Sequence, residues 1–508
     1  MLKAAVISAM YLTSAVAFAQ DPYANAPAYV KTVAGGGVKV IQPLVTTGQQ
    51  VPLAGSTSQK YLFVGIPDGM GVYSTNQGSK VGQFKLTVNH ELRPTQGVPF
   101  CTLPGGARIS ELSVGYQIKG STPSLTVNDG KLAFTQVFGP RTDGTYGEIV
   151  APTRGFGRFC SATLGFDAVG FDRPIHLTGE ENGAPNNFYG DGSVATATFD
   201  GAVHVLPDIG KADWENVVPV PFTNEKTVLI LDEDGGALDS QVYMYVGTKD
   251  PSSSDPLQKN GLVGGSFYVF VSDDSVFKGE DTFNQKGMTL TGHWEKLNSN
   301  ASNSATALQT EAAGKNAFGF VRVEDGTAER WNPGVYYFDT TGSPGSVNPY
   351  GHLYKMQFDP QNPTGTTQLT MLLDGSEGIV SPDNVDVNRH GEIIILEDPN
   401  YNLAADLNLT RDTSMWLYDT NTAKLTRVAE MNRSAAVAHA LAADPLNTDV
   451  ASTDIPGGWE FSGVIDMEDL LGRGSWLVNV QAHSLRINPS KSTVEGGQIF
   501  YVQVKTDN

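Results

Sequence analysis

Short runs of β-branched and aromatic residues, separated by polar turns, make up nearly all of the periodic sequence in this chain. Runs of this length and composition predict strands. The predicted strands are residues 61–66, 132–138, 203–206, 228–231, 242–246, 267–271, 318–323, 335–338, 353–358, 393–396, 415–418, 476–480 and 499–502. Good helix formers are dense only in residues 301–314 and 434–443, where we predict two short surface helices.

Turn residues punctuate these strands, with 56 Gly and 28 Pro in 508 residues. Many short strands joined by tight turns indicate a large β architecture built from hairpins. We therefore predict an all-β fold, a six-bladed β-propeller with inserted loops and short helices. Six blades would each receive roughly 80 residues, which leaves long loops on ordinary four-stranded blades.

One segment illustrates the predicted blade. Residues 383–387 form a strand, residues 388–391 a polar turn that ends in Gly, and residues 392–398 a second strand. Antiparallel pairing brings Asp383 to the same end as Glu397 and Asp398. In a propeller the innermost strand of a blade starts near the central channel, where charged side chains from several blades converge.

The N-terminus has the features of an export signal. Lys3 precedes a mostly apolar run, and Ala17-Phe18-Ala19 fits a cleavage site between small residues. The apolar run is shorter than the roughly 20 residues that a membrane helix needs. We expect a signal peptide at 1–19, a leader segment at 20–58 that includes the glycine run 35–37, and one propeller domain at 59–508. The protein is then secreted or periplasmic, without membrane insertion.

The chain carries a formal net charge of −20 at pH 7. Such acidity disfavours nucleic acid and anionic lipid as partners, and it is compatible with cation binding or simply with solubility. We expect a monomer that takes a small-molecule ligand.

The chain has two cysteines, Cys101 and Cys160. Because an exported protein meets an oxidising environment, we predict a disulfide between them, which the loop-entropy model values at about 4 kcal/mol. The alternatives are two free buried thiols, or one thiol that acts as a metal ligand.

Acidic residues cluster at the ends of the predicted strands. The clusters are residues 89–91, 180–182, 213–216, 232–234, 324–325, 383–384 and 397–398. One such cluster alone is most often a solvated turn. Calcium, however, binds six to eight hard oxygen ligands, which several clusters together can supply. Seven clusters together predict at least one shared Ca²⁺ site. The eight histidines form no zinc-protease motif, and no nucleophile elbow or phosphate-binding loop is present.

Eight short motifs resemble, in order, those of the PhoX-like family of extracytoplasmic phosphatases. They are residues 65–69 (GIPDG), 88–92 (VNHEL), 178–182 (TGEEN), 214–216 (WEN), 243–247 (YMYVG), 321–326 (VRVEDG), 381–384 (SPDN) and 478–481 (VNVQ). The resemblance implies a six-bladed propeller with a cluster of calcium ions and, in the phosphatases, two Fe³⁺ ions. Such clusters polarise phosphoryl oxygens and activate the attacking oxygen.

The same resemblance implies roles for individual residues. Metal-ligand positions are Glu180, Glu181, Glu215, Glu324 and Asp383. The guanidinium of Arg322 corresponds to the phosphate-binding group, since its planar donors pair with phosphate oxygens. Arg322, Glu215 and Glu324 are therefore the expected catalytic residues.

Two positions depart from the family pattern. Gly179 stands where the phosphatases have a cysteine thiolate on iron, and Asp213-Trp214 stands where they have Lys-His. Both changes weaken the case for iron and for phosphate binding. Two further hypotheses therefore stay open: a calcium-stabilised propeller without catalysis or with another activity, and a hydrolase such as a lactonase with one central calcium.

Overall fold

The computed structural model describes residues 21–74, 78–399, 411–488 and 493–505. The predicted signal peptide lies outside these ranges. Strands account for 48% and helices for 7% of the structure, which confirms the all-β prediction. Among the described residues no helix has the length and apolar character needed to cross a membrane.

Most strands of the first half of the chain pair with a neighbour in sequence. The N-terminal segment contains β1 (Val30–Thr32), β2 (Val38–Thr46), β3 (Gln50–Pro52) and β4 (Lys60–Leu62). Blade 1 and the segment after it contain β5 (Pro67–Tyr73), β6 (Val81–His90), β7 (Arg108–Lys119), β8 (Thr122–Leu132), β9 (Phe134–Pro140) and β10 (Tyr146–Glu148). Blade 2 contains β11 (Phe159–Gly165), β12 (Ile175–Glu180), β13 (Ala195–Phe199) and β14 (Gly201–Val205). Blade 3 and its edge contain β15 (Trp214–Pro219), β16 (Lys226–Glu233), β17 (Ala237–Ser240), β18 (Val242–Thr248), β19 (Ser266–Ser272) and β20 (Thr289–Leu297).

The second half repeats the arrangement. The strand β21 (Phe320–Val321) pairs with β17 in a separate two-stranded sheet. Blade 4 contains β22 (Val323–Ala328), β23 (Val335–Thr340), β24 (His352–Gln357) and β25 (Thr367–Leu373). Blade 5 contains β26 (Pro382–Val387), β27 (Glu392–Glu397), β28 (Ser414–Asp419) and β29 (Lys424–Met431). Blade 6 contains β30 (Thr448–Asp449), β31 (Glu460–Asp466), β32 (Ser475–Arg486) and β33 (Glu495–Val504). The helices of the described residues are α1 (Pro256–Lys259), α2 (Ala305–Gly314), α3 (Arg433–Ala443) and α4 (Glu468–Leu471), and a 3₁₀ turn spans Asp167–Val169.

The six innermost strands form a ring. They are β5, β11, β15, β22, β26 and β31, and each contacts the next in this order. The strand β31 contacts β5, so the ring of the described blades closes around a central channel. This arrangement confirms the six-bladed propeller. The edge strands β20 and β25 also pair, which joins blades 3 and 4 into one nine-stranded sheet.

The segment expected to be a leader, residues 20–58, contributes strands to the last two blades. The strand β2 pairs with β33, and β1 pairs with β29, both antiparallel. The glycine run fits against blade 5, since a Cβ at Gly36 would lie 2.7 Å from Cα of Val428. The sequence does not reveal this pairing because the partner strands lie hundreds of residues away in the chain.

Both predicted helices are confirmed. The helix α2 begins after Ser304, whose side chain accepts a hydrogen bond from the N–H of Ala307. Such a cap satisfies one of the free N–H groups at a helix start. Leu308 and Ala312 pack the helix onto the apolar core between blades 2 and 3. The apolar cores thus lie between sheets, and the inner strand starts are left for polar residues.

The predicted disulfide is absent, and both cysteines are free. Cys101 is exposed and its thiol contacts the carbonyl oxygen of Phe134 at 3.6 Å. Cys160 is buried on β11, where its sulfur approaches Oδ2 of Asp68 at 3.5 Å. The two thiols therefore have separate partners, and residue spacing alone carries no information about this separation.

Candidate metal centre

All six inner strands are irregular near the channel. The register with the neighbouring strand shifts at Pro67/Met70, Phe159/Ala162, Trp214/Val217, Val323/Gly326, Pro382/Asn384 and Ser462/Val464. A β-bulge breaks the alternation of side chains and re-aims the residue that lies within it. In blades 1 to 5 the irregular stretch contains a polar residue that is directed towards its counterparts on other blades, whereas in blade 6 the shift follows Glu460 by two residues.

We call the polar residues at the starts of the six inner strands the inner ring. The inner ring consists of Asp68, Cys160, Glu215, Glu324, Asp383 and Glu460, all of them buried. A second set of carboxylates directly follows the second strand of blades 1, 2, 3 and 5. We call this set the outer ring, and it consists of Glu91, Glu181, Asp234 and Asp398.

The two rings combine into four groups whose ligand atoms lie within 4.8 Å of one another. The groups are Asp68 with Glu91 and Cys160, Cys160 with Glu181 and Glu215, Glu215 with Asp234 and Glu324, and Asp383 with Asp398 and Glu460. Because the first three groups share Cys160 and Glu215, they form a continuous array from blade 1 to blade 4. The fourth group lies across blades 5 and 6.

Two arginines partly balance this negative charge. Nε of Arg322 lies 2.8 Å from Oδ1 of Asp234, and its Nη2 lies 2.7 Å from Oε1 of Glu324. Nη1 of Arg158 lies 3.2 Å from Oε1 of Glu91, and the same guanidinium also binds Glu181. Nε2 of His483 also lies 3.0 Å from Oε2 of Glu460. The rings hold nine carboxylates, which outnumber the two guanidinium groups and this imidazole.

Both arginines have a left-handed backbone, with φ of 57° for Arg322 and 40° for Arg158. Each lies two residues before an inner-ring residue. A non-glycine residue in this region costs about 1 kcal/mol or more, and such strain concentrates at functional sites. The strained turns place the guanidinium groups beside the rings.

Burial makes the ionised form of the inner-ring carboxylates unfavourable. Burial first, and then the charge of Glu91, raise the pKa of Asp68 to about 7. Burial raises the pKa of Glu324 to about 8, although Arg322 acts in the opposite direction. Burial and the neighbouring carboxylates raise the pKa of Glu215 and of Asp383 well above the ordinary range. The ring therefore needs positive charge to ionise fully near neutral pH.

Several buried oxygens of the inner ring have no hydrogen-bond donor among the described residues. They are Oδ1 of Asp68, Oε2 of Glu215 and Oδ1 of Asp383. An unpaired buried oxygen is costly, and such atoms call for an explanation by an ion or a water molecule. Carboxylate oxygens at this density match the ligand set of calcium. The residues present therefore fit a cluster of cations.

Four of the five predicted metal-ligand positions meet in this centre, namely Glu181, Glu215, Glu324 and Asp383. Glu180 does not join them. Its Oε1 accepts hydrogen bonds from the N–H groups of Gly157 and Phe188, each at 2.8 Å. Its Oε2 accepts one from Val194 at 3.3 Å. Glu180 thus anchors the surrounding loops.

Substitution of Glu180 by Ala should lower the free energy of unfolding by about 3 kcal/mol, because three backbone N–H groups lose their acceptor. Chemical denaturation of the two proteins measures this difference. Metal content should stay that of the wild type, whereas Glu181→Ala should lower it. Loss of bound metal in Glu180→Ala, at unchanged stability, would contradict this assignment.

The structure also explains the glycine at position 179. A Cβ at Gly179 would lie 2.2 Å from Cβ of Trp214, which is fully buried. No side chain fits there. The thiol of the centre comes instead from Cys160 on β11, the strand that pairs with β12.

Asp213, the other departure, is half-buried beside the centre. It lies two residues before Glu215, as Arg158 and Arg322 lie two residues before Cys160 and Glu324. Burial first, and then the charge of Asp234, raise the pKa of Asp213. A carboxyl group in place of a cation therefore lies on blade 3, between the two blades that supply the arginines.

The fold and the centre define a class of protein: a six-bladed β-propeller whose channel is lined by groups of carboxylates that could hold metal ions. No protein-family model matches the sequence, and no curated protein matches it. The structure is similar to that of Pseudomonas fluorescens PhoX in complex with vanadate, a transition state analogue. The TM-score is 0.63 with 14% sequence identity, over 95% of this chain and 98% of that chain. This likeness supports a PhoX-like fold.

Two further solved structures match with lower scores. One is a protein of unknown function from Dyadobacter fermentans, with a TM-score of 0.37 and 7% identity over 92% of this chain and 100% of that chain. The other is Trypanosoma rangeli sialidase in complex with 2,3-difluorosialic acid, with a TM-score of 0.30 and 9% identity over 94% of this chain and 59% of that chain.

Proposed function

We propose that this protein is an extracytoplasmic, metal-dependent phosphatase that hydrolyses small phosphate esters at the cation centre of the channel. The observation that carries the proposal is the continuous carboxylate array from blade 1 to blade 4 with Arg322 beside it. The fold likeness to PhoX with a bound transition state analogue supports it. Calcium, export and a monomeric state are parts of this proposal.

The carboxylates of the two rings would hold the cations. Glu215 and Glu324 belong to one group with Asp234, so they would hold ions next to the arginine. Bound cations would polarise the phosphoryl oxygens and lower the pKa of a bound water. The unpaired Oε2 of Glu215 is available for such a bond without the loss of an existing hydrogen bond.

Arg322 would bind the phosphoryl group. The guanidinium of Arg322 donates two hydrogen bonds to Asp234, from Nε at 2.8 Å and from Nη2 at 3.0 Å. These two bonds fix the plane of the guanidinium. Nη1 makes no hydrogen bond to the described residues. The side chain is one third exposed, so a ligand in the channel can reach it. A fixed, planar donor suits a phosphate oxygen.

The test is hydrolysis of a generic phosphomonoester by metal-free protein and by protein reloaded with Ca²⁺, with Fe³⁺ or with both. We expect turnover only after reloading, and Arg322→Ala should lower kcat/KM by about 100-fold. Arg389 is the control position, because it follows the C-terminal end of β26, whereas the ring residue Asp383 lies at the start of that strand. Arg389→Ala should keep wild-type kinetics. If none of these loadings gives metal-dependent turnover, the proposal is wrong.

Asp213 supports a second candidate function, a calcium-stabilised propeller that does not bind phosphate. An anion between the two arginine blades opposes the approach of a phosphate dianion. This alternative predicts that the protein binds calcium and is thermally stabilised by it, but has no affinity for inorganic phosphate. Titration calorimetry with phosphate on the calcium-loaded protein separates the two, because phosphate binding contradicts the second candidate.

A further inference from the structure

A further set of buried polar residues adjoins the inner ring. Four of its members directly follow an inner-ring residue in the chain, and the other two lie on β6 and β32. We call this set the belt. The belt consists of Asn89, Ser161, Asn216, Asp325, Asn384 and Asn479, all of them buried.

Hydrogen bonds of the belt join blades 1, 2, 3 and 4 in order. Nδ2 of Asn89 on blade 1 donates to the carbonyl oxygen of Cys160 on blade 2 at 2.7 Å. Nδ2 of Asn216 on blade 3 donates to Oγ1 of Thr163 on blade 2 at 3.1 Å, and it also donates to Oδ1 of Asp325 on blade 4. These side-chain bonds connect described inner strands that do not pair with one another.

The belt continues from blade 4 back to blade 1. Oδ2 of Asp325 accepts a hydrogen bond from the N–H of Val385 on blade 5 at 3.1 Å. Nδ2 of Asn479 on blade 6 donates to the carbonyl oxygen of Asp68 on blade 1 at 2.6 Å. Asn384 supplies the link from blade 5 to blade 6, so the belt is a closed circle. A buried polar network with its bonds made holds its members rigidly.

Asn384 also spans the channel. Its Oδ1 accepts a hydrogen bond from the N–H of Gly463 on blade 6 at 2.9 Å, and its Nδ2 donates to Oγ of Ser161 at 2.9 Å. Ser161 lies on blade 2, which is opposite blade 5 in the ring. Because Asn384 follows Asp383 and Ser161 follows Cys160, this bond connects the fourth ligand group with the array on blades 1 to 4.

We propose that the bond between Asn384 and Ser161 couples the two parts of the centre, so that Ca²⁺ binds to the fourth group and to the array cooperatively. The inference rests on the cation centre of the proposed function, but not on hydrolysis. A cation at the fourth group would fix the start of β26, and the belt would then restrict β11 as well. The next cation therefore loses less conformational entropy when it binds, which is positive cooperativity.

Repulsion between the cations opposes this coupling, and the carboxylates around each cation reduce that repulsion. With positive coupling the centre fills over a narrow range of free calcium concentration. The proposed cation centre is thus regulated by the calcium of its surroundings.

Two variants remove the bond across the channel and keep every ring carboxylate, namely Asn384→Ala and Ser161→Ala. Asn260→Ala is the matched control, because Asn260 is equally buried and its Nδ2 donates to Asp172, beyond the ends of β11 remote from the rings. Metal-free protein is titrated with Ca²⁺ in competition with a chromophoric chelator. Wild type and Asn260→Ala should give a Hill coefficient of about 1.5 or more, and both belt variants a coefficient of about 1.

The wild-type titration alone can overturn the inference, through a Hill coefficient of 1 or less or through absence of calcium binding. Ser161→Ala deletes one hydroxyl group and serves as the test if Asn384→Ala does not fold. A folded Ser161→Ala protein with the wild-type coefficient also overturns the inference. Cooperative calcium binding without hydrolysis of a phosphomonoester supports the inference and removes the proposed function. Hydrolysis by a protein that binds calcium without cooperativity does the reverse.

Discussion

Replacement of Glu215 by Gln is expected to lower kcat/KM for a phosphate ester by about 1000-fold at saturating metal. Glu215 is shared by two ligand groups, one with Cys160 and Glu181 and one with Asp234 and Glu324. Loss of its charge should therefore weaken two adjacent positions of the proposed cation centre at once. Glutamine keeps the size of the side chain, so the fold should be retained.

Steady-state kinetics with circular dichroism as the folding check measures this effect. Glu329 is the control position, because it follows the end of β22 while Glu324 lies at the start of that strand. Glu329→Gln should stay within about threefold of the wild type. A folded Glu215→Gln protein with wild-type kcat/KM would show that the shared carboxylate takes no part in the reaction.

Removal of divalent cations should lower the midpoint of thermal unfolding by about 10 °C, because ions that bind only the folded state stabilise it by several kcal/mol. The nine ring carboxylates repel one another when ionised, because only two guanidinium groups and the imidazole of His483 oppose them. Differential scanning calorimetry with calcium and with a chelator measures the difference. Asp383→Asn should reduce it, because one member of the fourth group then carries no charge.

The effect of chelation should grow with pH. The pKa of Asp68 is raised to about 7 and that of Glu324 to about 8 in the folded protein, above the ordinary carboxylate range. A raised folded pKa favours folding at low pH, and this contribution is lost as the pH rises through 7 to 8. The metal-free protein should therefore unfold at a lower temperature at pH 8.5 than at pH 6. Equal midpoints with and without calcium at pH 8.5 are incompatible with a cation centre.

The strands and the propeller follow from the sequence because each depends on local patterns of apolar residues and turns. The pairing of β2 with β33 does not, since its partners lie at opposite ends of the chain. A strand of nine residues that ends one blade looks the same in sequence as an isolated leader strand. The folded ring brings β33 next to β2, and the sequence alone does not display this neighbour.

The centre was partly predictable for a related reason. Glu181 and Glu324 lie in acidic clusters at strand ends, which the sequence displays. Glu180 shares one of those clusters, but neighbouring residues point in different directions and it binds backbone N–H groups instead. The sequence alone cannot show which of the two neighbouring glutamates, Glu180 or Glu181, faces the centre.

The missed residues are isolated in the sequence. Asp68 and Glu460 are single acids within inner strands, and only the closure of the ring brings them close to carboxylates of other strands. Cys160 was assigned to a disulfide because the cellular compartment and the loop length favour one. Its true neighbours come from blades 1, 2 and 3, which no spacing rule brings together.

The junction between β5 and β31 has a consequence for biosynthesis. Blade 1 comes from the beginning of the chain and blade 6 from its end, yet they abut at the channel. A nascent chain that still lacks its last hundred residues has an open circle of sheets and no Glu460. The group of Asp383, Asp398 and Glu460 is therefore completed last, whereas the three groups on blades 1 to 4 need no residue of blade 6.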